Sequence, residues 1–151
     1  MQKSKNAFTM IEMVFVIVIL GILAAIAIPK FAATRTDAEI TKGRSDVASI
    51  RSAIVSERQA RLIRGDSDWI TVLSQNTTTL FDGNGTSELL MYGIAAGTGS
   101  GSWQSTSGTA YTYTIQSTAV PFTYAPTTGR FTCSTTAGTA EQNALCVNLI
   151  N

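Results

Sequence analysis

One carboxylate, Glu12, stands near the start of an apolar run that has no other charged side chain from position 13 to 28. In lipid such a charge costs about 2.5–3.5 kcal/mol near mid-span and less toward the interface, so a partner is expected. The other residues able to do chemistry are few. The chain has no histidine, which excludes imidazole acid–base work and histidine metal ligation. Its two cysteines, Cys133 and Cys146, are too few for a structural zinc site, and their spacing matches no redox motif. A disulfide is the economical reading if this end reaches an oxidising compartment. The run "FDGNGTSE" places Asp82, Asn84 and Glu88 as oxygen donors of the calcium type, but the spacing fails the EF-hand template. The same run reads Asn84-Gly85-Thr86, an N-glycosylation acceptor with an acid two residues earlier. Asp-Gly and Asn-Gly are also ordinary turn formers, so a plain polar turn is the competing reading. No nucleophile–base arrangement is visible, so the chain is read as a non-enzyme that needs no cofactor.

These residues must be positioned by two very different halves. Residues 8–28 form 21 apolar-rich positions, about 31 Å as a helix, which suits a bilayer core. A secretory signal with an Ala25-Ile26-Ala27 cut is one alternative, and a plain anchor is another. Beyond Pro29, Ile40, Gly43, Val47, Ile50 and Ile54 follow steps of three and four, so the helix continues with one apolar stripe until Gly65 stops it. The rest is rich in Thr, Ser, Gly and aromatics. "AYTYTIQ" alternates as a half-buried strand, and "LLMYGI" and "RFTCS" are further strand candidates. "VPFTYAP" is expected only at an edge because of its prolines, and "GTGSGS" reads as a flexible loop. The expected fold is α+β: a long N-terminal helix, transmembrane in its first half, with an antiparallel sheet of three or four strands packed on its second half.

Charge is divided along the same line. Positions 30–64 hold eight bases against four acids, and positions 65–151 hold one base, Arg130, against five acids. The acidic second half offers no cluster of bases for phosphates, so nucleic acid is not an expected partner. The asymmetry suits head-to-tail association between copies, or two ordinary solvated surfaces.

The stretch Ala7-Phe8-Thr9-Met10-Ile11-Glu12 with the apolar run behind it resembles the start of type IV prepilins and type II secretion pseudopilins. The resemblance implies a leader, residues 1–7, cut between Ala7 and Phe8, with Phe8 then N-methylated and Glu12 the fifth residue of the mature chain. Ala7 stands where that family usually has glycine. The implied layout is a polymerisation helix over 8–29, its amphipathic continuation over 30–64, and a head over 65–151.

The resemblance further implies that Glu12 meets the Phe8 amine of a neighbouring subunit and sets filament register. A wrong stagger would leave two charges unpaired, at several kcal/mol. The competing reading is a carboxylate solvated at the headgroup boundary. Gly21 and Pro29 bracket the weakest helical stretch, where family filaments often unwind. The implied role is a type IV pilin-like structural subunit, with a pseudopilin as the alternative within the family and a membrane-anchored binding module as the more distant one. The implied partners are further copies and minor pilins, a prepilin peptidase/methyltransferase, an inner-membrane assembly platform and lipid. Localisation follows: an inner-membrane precursor with its head outside the cytoplasm, then a surface pilus or periplasmic pseudopilus. The bases Lys30, Arg35, Lys42 and Arg44 after the span blur the positive-inside signal of Lys3 and Lys5, so the short leader and the cysteine pair decide orientation. Type IV pilins commonly carry a C-terminal disulfide loop, which tilts the reading toward a pilin.

Overall fold

A computed structural model describes residues 8–151, with the backbone alone at 32 and 33; the expected leader 1–7, including Lys3, Lys5 and Ala7, lies outside the described residues. Helix α1 runs Met10–Ile63 and contains Pro29. The chain divides between Arg35 and Thr36 into two compact units. In the first, the large apolar side chains between Phe8 and Phe31 are exposed, from 40% at Ile19 to 88% at Met10. This stretch reaches a mean hydropathy of 3.0, long and apolar enough to cross a membrane.

In the second unit α1 becomes one-sided, with Glu39, Gly43, Val47, Ile50 and Ile54 buried on one face. Gly65 ends the helix as expected. It adopts φ +83°, its N–H reaches Leu62 O at 3.1 Å, and Asp66 N–H reaches Arg61 O at 2.9 Å. That left-handed residue with paired return bonds is the usual glycine stop.

A short antiparallel pair, β1 (Thr79–Leu80) with β2 (Ile94–Ala95), precedes a four-stranded antiparallel sheet in the order β3-β4-β5-β6. Its strands are β3 (Ser102–Ser107), β4 (Ala110–Ile115), β5 (Thr118–Ala125) and β6 (Arg130–Cys133). Period-2 alternation turns Tyr111, Tyr113 and Ile115 of β4 inward, with Val120, Phe122 and Tyr124 of β5 and Phe131 of β6. Together with Trp103 and Phe81 they form an aromatic core. Phe81 stacks on Tyr111 at 4.5 Å, and Trp103 meets Phe122 edge-on at 5.1 Å. The chain is therefore α+β, a long helix with small antiparallel sheets packed on it.

Four local expectations are corrected. First, "VPFTYAP" lies in β5, an interior strand and not an edge. Tyr124 N–H donates toward β4, to Thr109 O at 2.8 Å, so the alternating Pro121 turns its nitrogen toward β6. There β6 has already ended, since Cys133 pairs with Phe122, so the missing N–H loses no ladder bond. Second, "LLMYGI" is a strand only at its last residue, Ile94. Leu89 and Leu90 instead donate to Asp82 O and Phe81 O in a tight return, which leaves Met91 and Tyr92 outside. Third, "GTGSGS" is tied to α1: Ser100 Oγ donates to Glu39 Oε2 and Lys42 Nζ to Gly101 O, each at 2.5 Å. Fourth, the C-terminal segment holds a helix, α2 (Ala140–Ile150), which the periodicity reading missed. Thr139 and Gln142 close a reciprocal capping box at its start, and Arg44 donates to Asn148 O at its end.

α1, β4 and α2 meet at Gly43. A Cβ there would fall on the Tyr113 ring and 2.6 Å from Leu149 Cδ2. Gly43→Ala is expected to destabilise the second unit by about 1–3 kcal/mol through overpacking, although alanine is the better helix former. Denaturant unfolding of detergent-extracted protein measures it, and unchanged stability would contradict the close approach.

Burial is the main cause that raises the phenols of Tyr111, Tyr113 and Tyr124 to about 12. A group whose folded pKa lies above its unfolded value near 10 contributes fully below pH 10 and loses that contribution as pH rises toward 12. The head should therefore hold its circular dichroism up to about pH 10 and unfold above it, together with tyrosinate absorbance. Tyrosinate that appears with no loss of structure would contradict this.

Candidate functional site

The N-terminal site is built on the first turn of α1. Thr9 precedes the helix, and Glu12 is its third residue. Thr9 N–H and Thr9 Oγ1 both donate to Glu12 Oε2 at 2.8 Å, and Glu12 N–H donates back to Thr9 Oγ1 at 3.3 Å. This is the reciprocal box of a capped helix start, and it places the carboxylate at the positive end of the helix dipole. Sequence reasoning had singled out Glu12 and missed Thr9, although T-x-x-E ahead of an apolar run carries the signal. Among the described residues Glu12 Oε1 takes no hydrogen bond, so one oxygen remains available to an incoming donor. Phe8, the residue expected at the new amino terminus, precedes this turn and is exposed.

Farther along, a Cβ added at Gly21 would meet nothing within 4 Å, so no contact among the described residues requires glycine there. Pro29 sits inside α1 with the helix assigned on both sides of it. Neither residue touches the Thr9–Glu12 site in sequence or hydrogen bonding.

The head sites are separate. Cys133 at the end of β6 and Cys146 on α2 form a disulfide, Cα–Cα 5.9 Å, which fastens α2 to the sheet. Asn84 Oδ1 accepts from Thr86 N–H at 3.2 Å and Ser87 N–H at 2.8 Å, so that oxygen is engaged in an Asx turn. Gly83 and Gly85 on either side adopt positive φ, and Gly83 bridges Glu88 across the return. Asp82 Oδ1 is buried, whereas Glu88 is exposed. Among the described residues no three histidine, cysteine or acidic side chains are grouped as metal ligands.

Sequence reasoning also missed a row of arginines seven residues apart on α1. Arg44 donates to Asn148 O, and Arg51 Nε donates to Phe131 O at 3.0 Å. Arg58 lies over the Trp69 ring at 4.9 Å. Their spacing was legible, but Arg44 and Arg51 reach backbone carbonyls and Arg58 an aromatic face, partners that no sequence pattern marks.

Residues 2–28 match the family model of the prokaryotic N-terminal methylation motif. Two fimbrial proteins of Pseudomonas aeruginosa are each 32% identical over 91 residues, which is 58% of this chain and 59% of theirs. The type II secretion system core protein G of Pseudomonas aeruginosa is 36% identical over 53 residues, 35% of this chain and 37% of that protein. The chain thus spans about three-fifths of the length of the fimbrial relatives it matches. No solved structure matches it significantly. A chain with one exposed apolar helix start, a lone carboxylate in its first turn and a disulfide-fastened head carries the prokaryotic N-terminal methylation motif and is similar to fimbrial proteins and to a type II secretion core protein.

Proposed function

We propose that this chain is a type IV pilin-like structural subunit, trimmed to Phe8, N-methylated there, and polymerised through its N-terminal helix into a cell-surface filament. One observation carries the reading: an apolar helix start exposed on all sides holds a single carboxylate, with one oxygen bound by its own Thr9 and the other without a hydrogen bond among the described residues. Exposed apolar area of this extent belongs in lipid or against other helices. A lone half-satisfied charge within it selects one stagger among those packings, because a mismatched neighbour leaves two charges unpaired. The precursor then resides in the inner membrane with its head outside the cytoplasm, where Cys133 and Cys146 can be oxidised. A prepilin peptidase/methyltransferase, an assembly platform and minor pilins are its partners. The similarity to a type II secretion core protein supports the second reading, a pseudopilin that stays in the periplasm.

Intact-mass and N-terminal peptide analysis of the exported protein should find a chain that starts at Phe8 with a methylated amine. A start at Ile28 would mean an ordinary signal peptide and would end the filament reading.

Glu12→Val should leave the chain in the membrane, since it removes a costly charge, while sheared filaments fall by about tenfold or more. Glu12→Gln separates the two roles of the residue. Glutamine can still close the capping box with Thr9 but carries no charge, so filaments should fall as they do with valine. Normal filament yield from Glu12→Gln would assign the residue to helix capping and not to register.

A further inference from the structure

The flank of the head between α1 and β6 is a groove of about 520 Å³ lined by Arg51, Val55, Gly129, Arg130, Phe131 and Thr132. Its charge is not neutralised. Arg51 uses only Nε, toward Phe131 O, and Arg130 has no hydrogen-bond or ion partner among the described residues. The other α1 bases of this unit are engaged differently: Lys42 and Arg44 bind head carbonyls, Arg58 lies over the Trp69 ring, and Arg61 pairs with Glu57 and Asp66, while Arg64 just past the helix pairs with Glu57. Val55 lines the same groove and offers apolar surface, 50% exposed. The groove therefore fits a carboxylate that arrives with apolar neighbours.

The head carries such a group elsewhere. Met91 and Tyr92 are each 85% exposed, on the tight return that follows Glu88. The Glu88 carboxylate is exposed and has no side-chain partner among the described residues. This return belongs to the β1–β2 segment, which Gly97 N–H ties to Trp103 O of β3. β3 and β6 are the opposite edges of the sheet. One copy cannot fill its own groove with a turn tied to the far edge, and two different patches in contact give an open, repeating association instead of a closed pair.

We propose that the α1–β6 groove receives, from a second copy of this chain, the turn that carries Glu88, Met91 and Tyr92, with Glu88 set against Arg130 and Arg51. The proposal rests on the filament reading and adds a head-to-head contact to the helix contacts assumed there. Opposite charges on the two patches favour this register and disfavour like patches meeting.

The test uses the full chain in producing cells. Arg130→Glu and Glu88→Lys should each lower sheared filaments by about tenfold, and the double reversal should restore them, because like charges placed in contact are strongly unfavourable. Each variant is checked for its level in membranes and for its Cys133–Cys146 link. In parallel, a photo-reactive residue in place of Tyr92 should cross-link to residues 129–132 or to α1 near Val55 of another copy. Single reversals without effect, a double no better than either single, or cross-links elsewhere would overturn the groove contact. Filaments that lack the expected cross-link overturn the groove alone. The same cross-link between copies in membranes of cells with no filaments supports the groove while the filament reading falls, and absence of both overturns both.

Discussion

At Gly43 the backbone of α1 approaches the Tyr113 ring and Leu149 more closely than any side chain would allow. The neighbouring contacts depend on that approach. It brings Tyr113 OH to Glu39 O at 2.8 Å, which in turn holds the Glu39 carboxylate against Ser100 and the Gln116 N–H. One turn along the helix, Trp103 Nε1 donates to Asp46 Oδ2 at 3.0 Å. Burial pushes the Asp46 carboxyl up, opposed by that bond and by Lys42. Polar groups this deep remain inexpensive only while each keeps its partner, so the helix–sheet spacing at Gly43 is a condition for the whole network.

The same helix changes its chemistry along its length. From Met10 to Phe31 its large apolar side chains stand exposed on every side; from Glu39 onward the buried ones gather on one face beneath aromatic rings. A helix apolar all round suits lipid or a bundle, and one with a stripe suits a single sheet. The Thr9–Glu12 box belongs to the first regime and satisfies one oxygen of its one carboxylate. The head completes its own core in the second regime and leaves little apolar surface beyond Met91, Tyr92, Val55 and the end of α1.

Features governed by local periodicity were legible in the sequence: the α1 stripe, the Gly65 stop and the alternation of β4. Glu12 was legible because a charge in an apolar run is costly unless it is paired or solvated at the interface. The misreadings share a different cause. Pro121 was assigned to an edge because a proline's cost depends on where the partner strand ends, which only the register of Cys133 opposite Phe122 reveals. "LLMYGI" has strand composition, yet the positive-φ residues Phe81 and Gly83 just upstream commit the chain to a tight return. α2 contains Cys146, and its start is marked only by the Thr139–Gln142 capping pattern. Thr9 is marked in the same way, by a carboxylate three residues on that closes a capping box with it.

The Arg51–Phe131 bond has a further consequence for a protein that would stand at high density among identical copies. β6 is an exposed end of the sheet, and Phe131 presents an outward carbonyl there that could template another strand; the Arg51 guanidinium occupies it. At the opposite end β3 loses register between Ser105 and Ser107, an irregularity that interrupts a regular ladder. Backbone-to-backbone growth of the amyloid kind is thus obstructed at both margins of the sheet. In the proposed assembly neighbouring heads would recognise one another through side chains, where charge and shape can be selective and where an association can be undone without unfolding a strand.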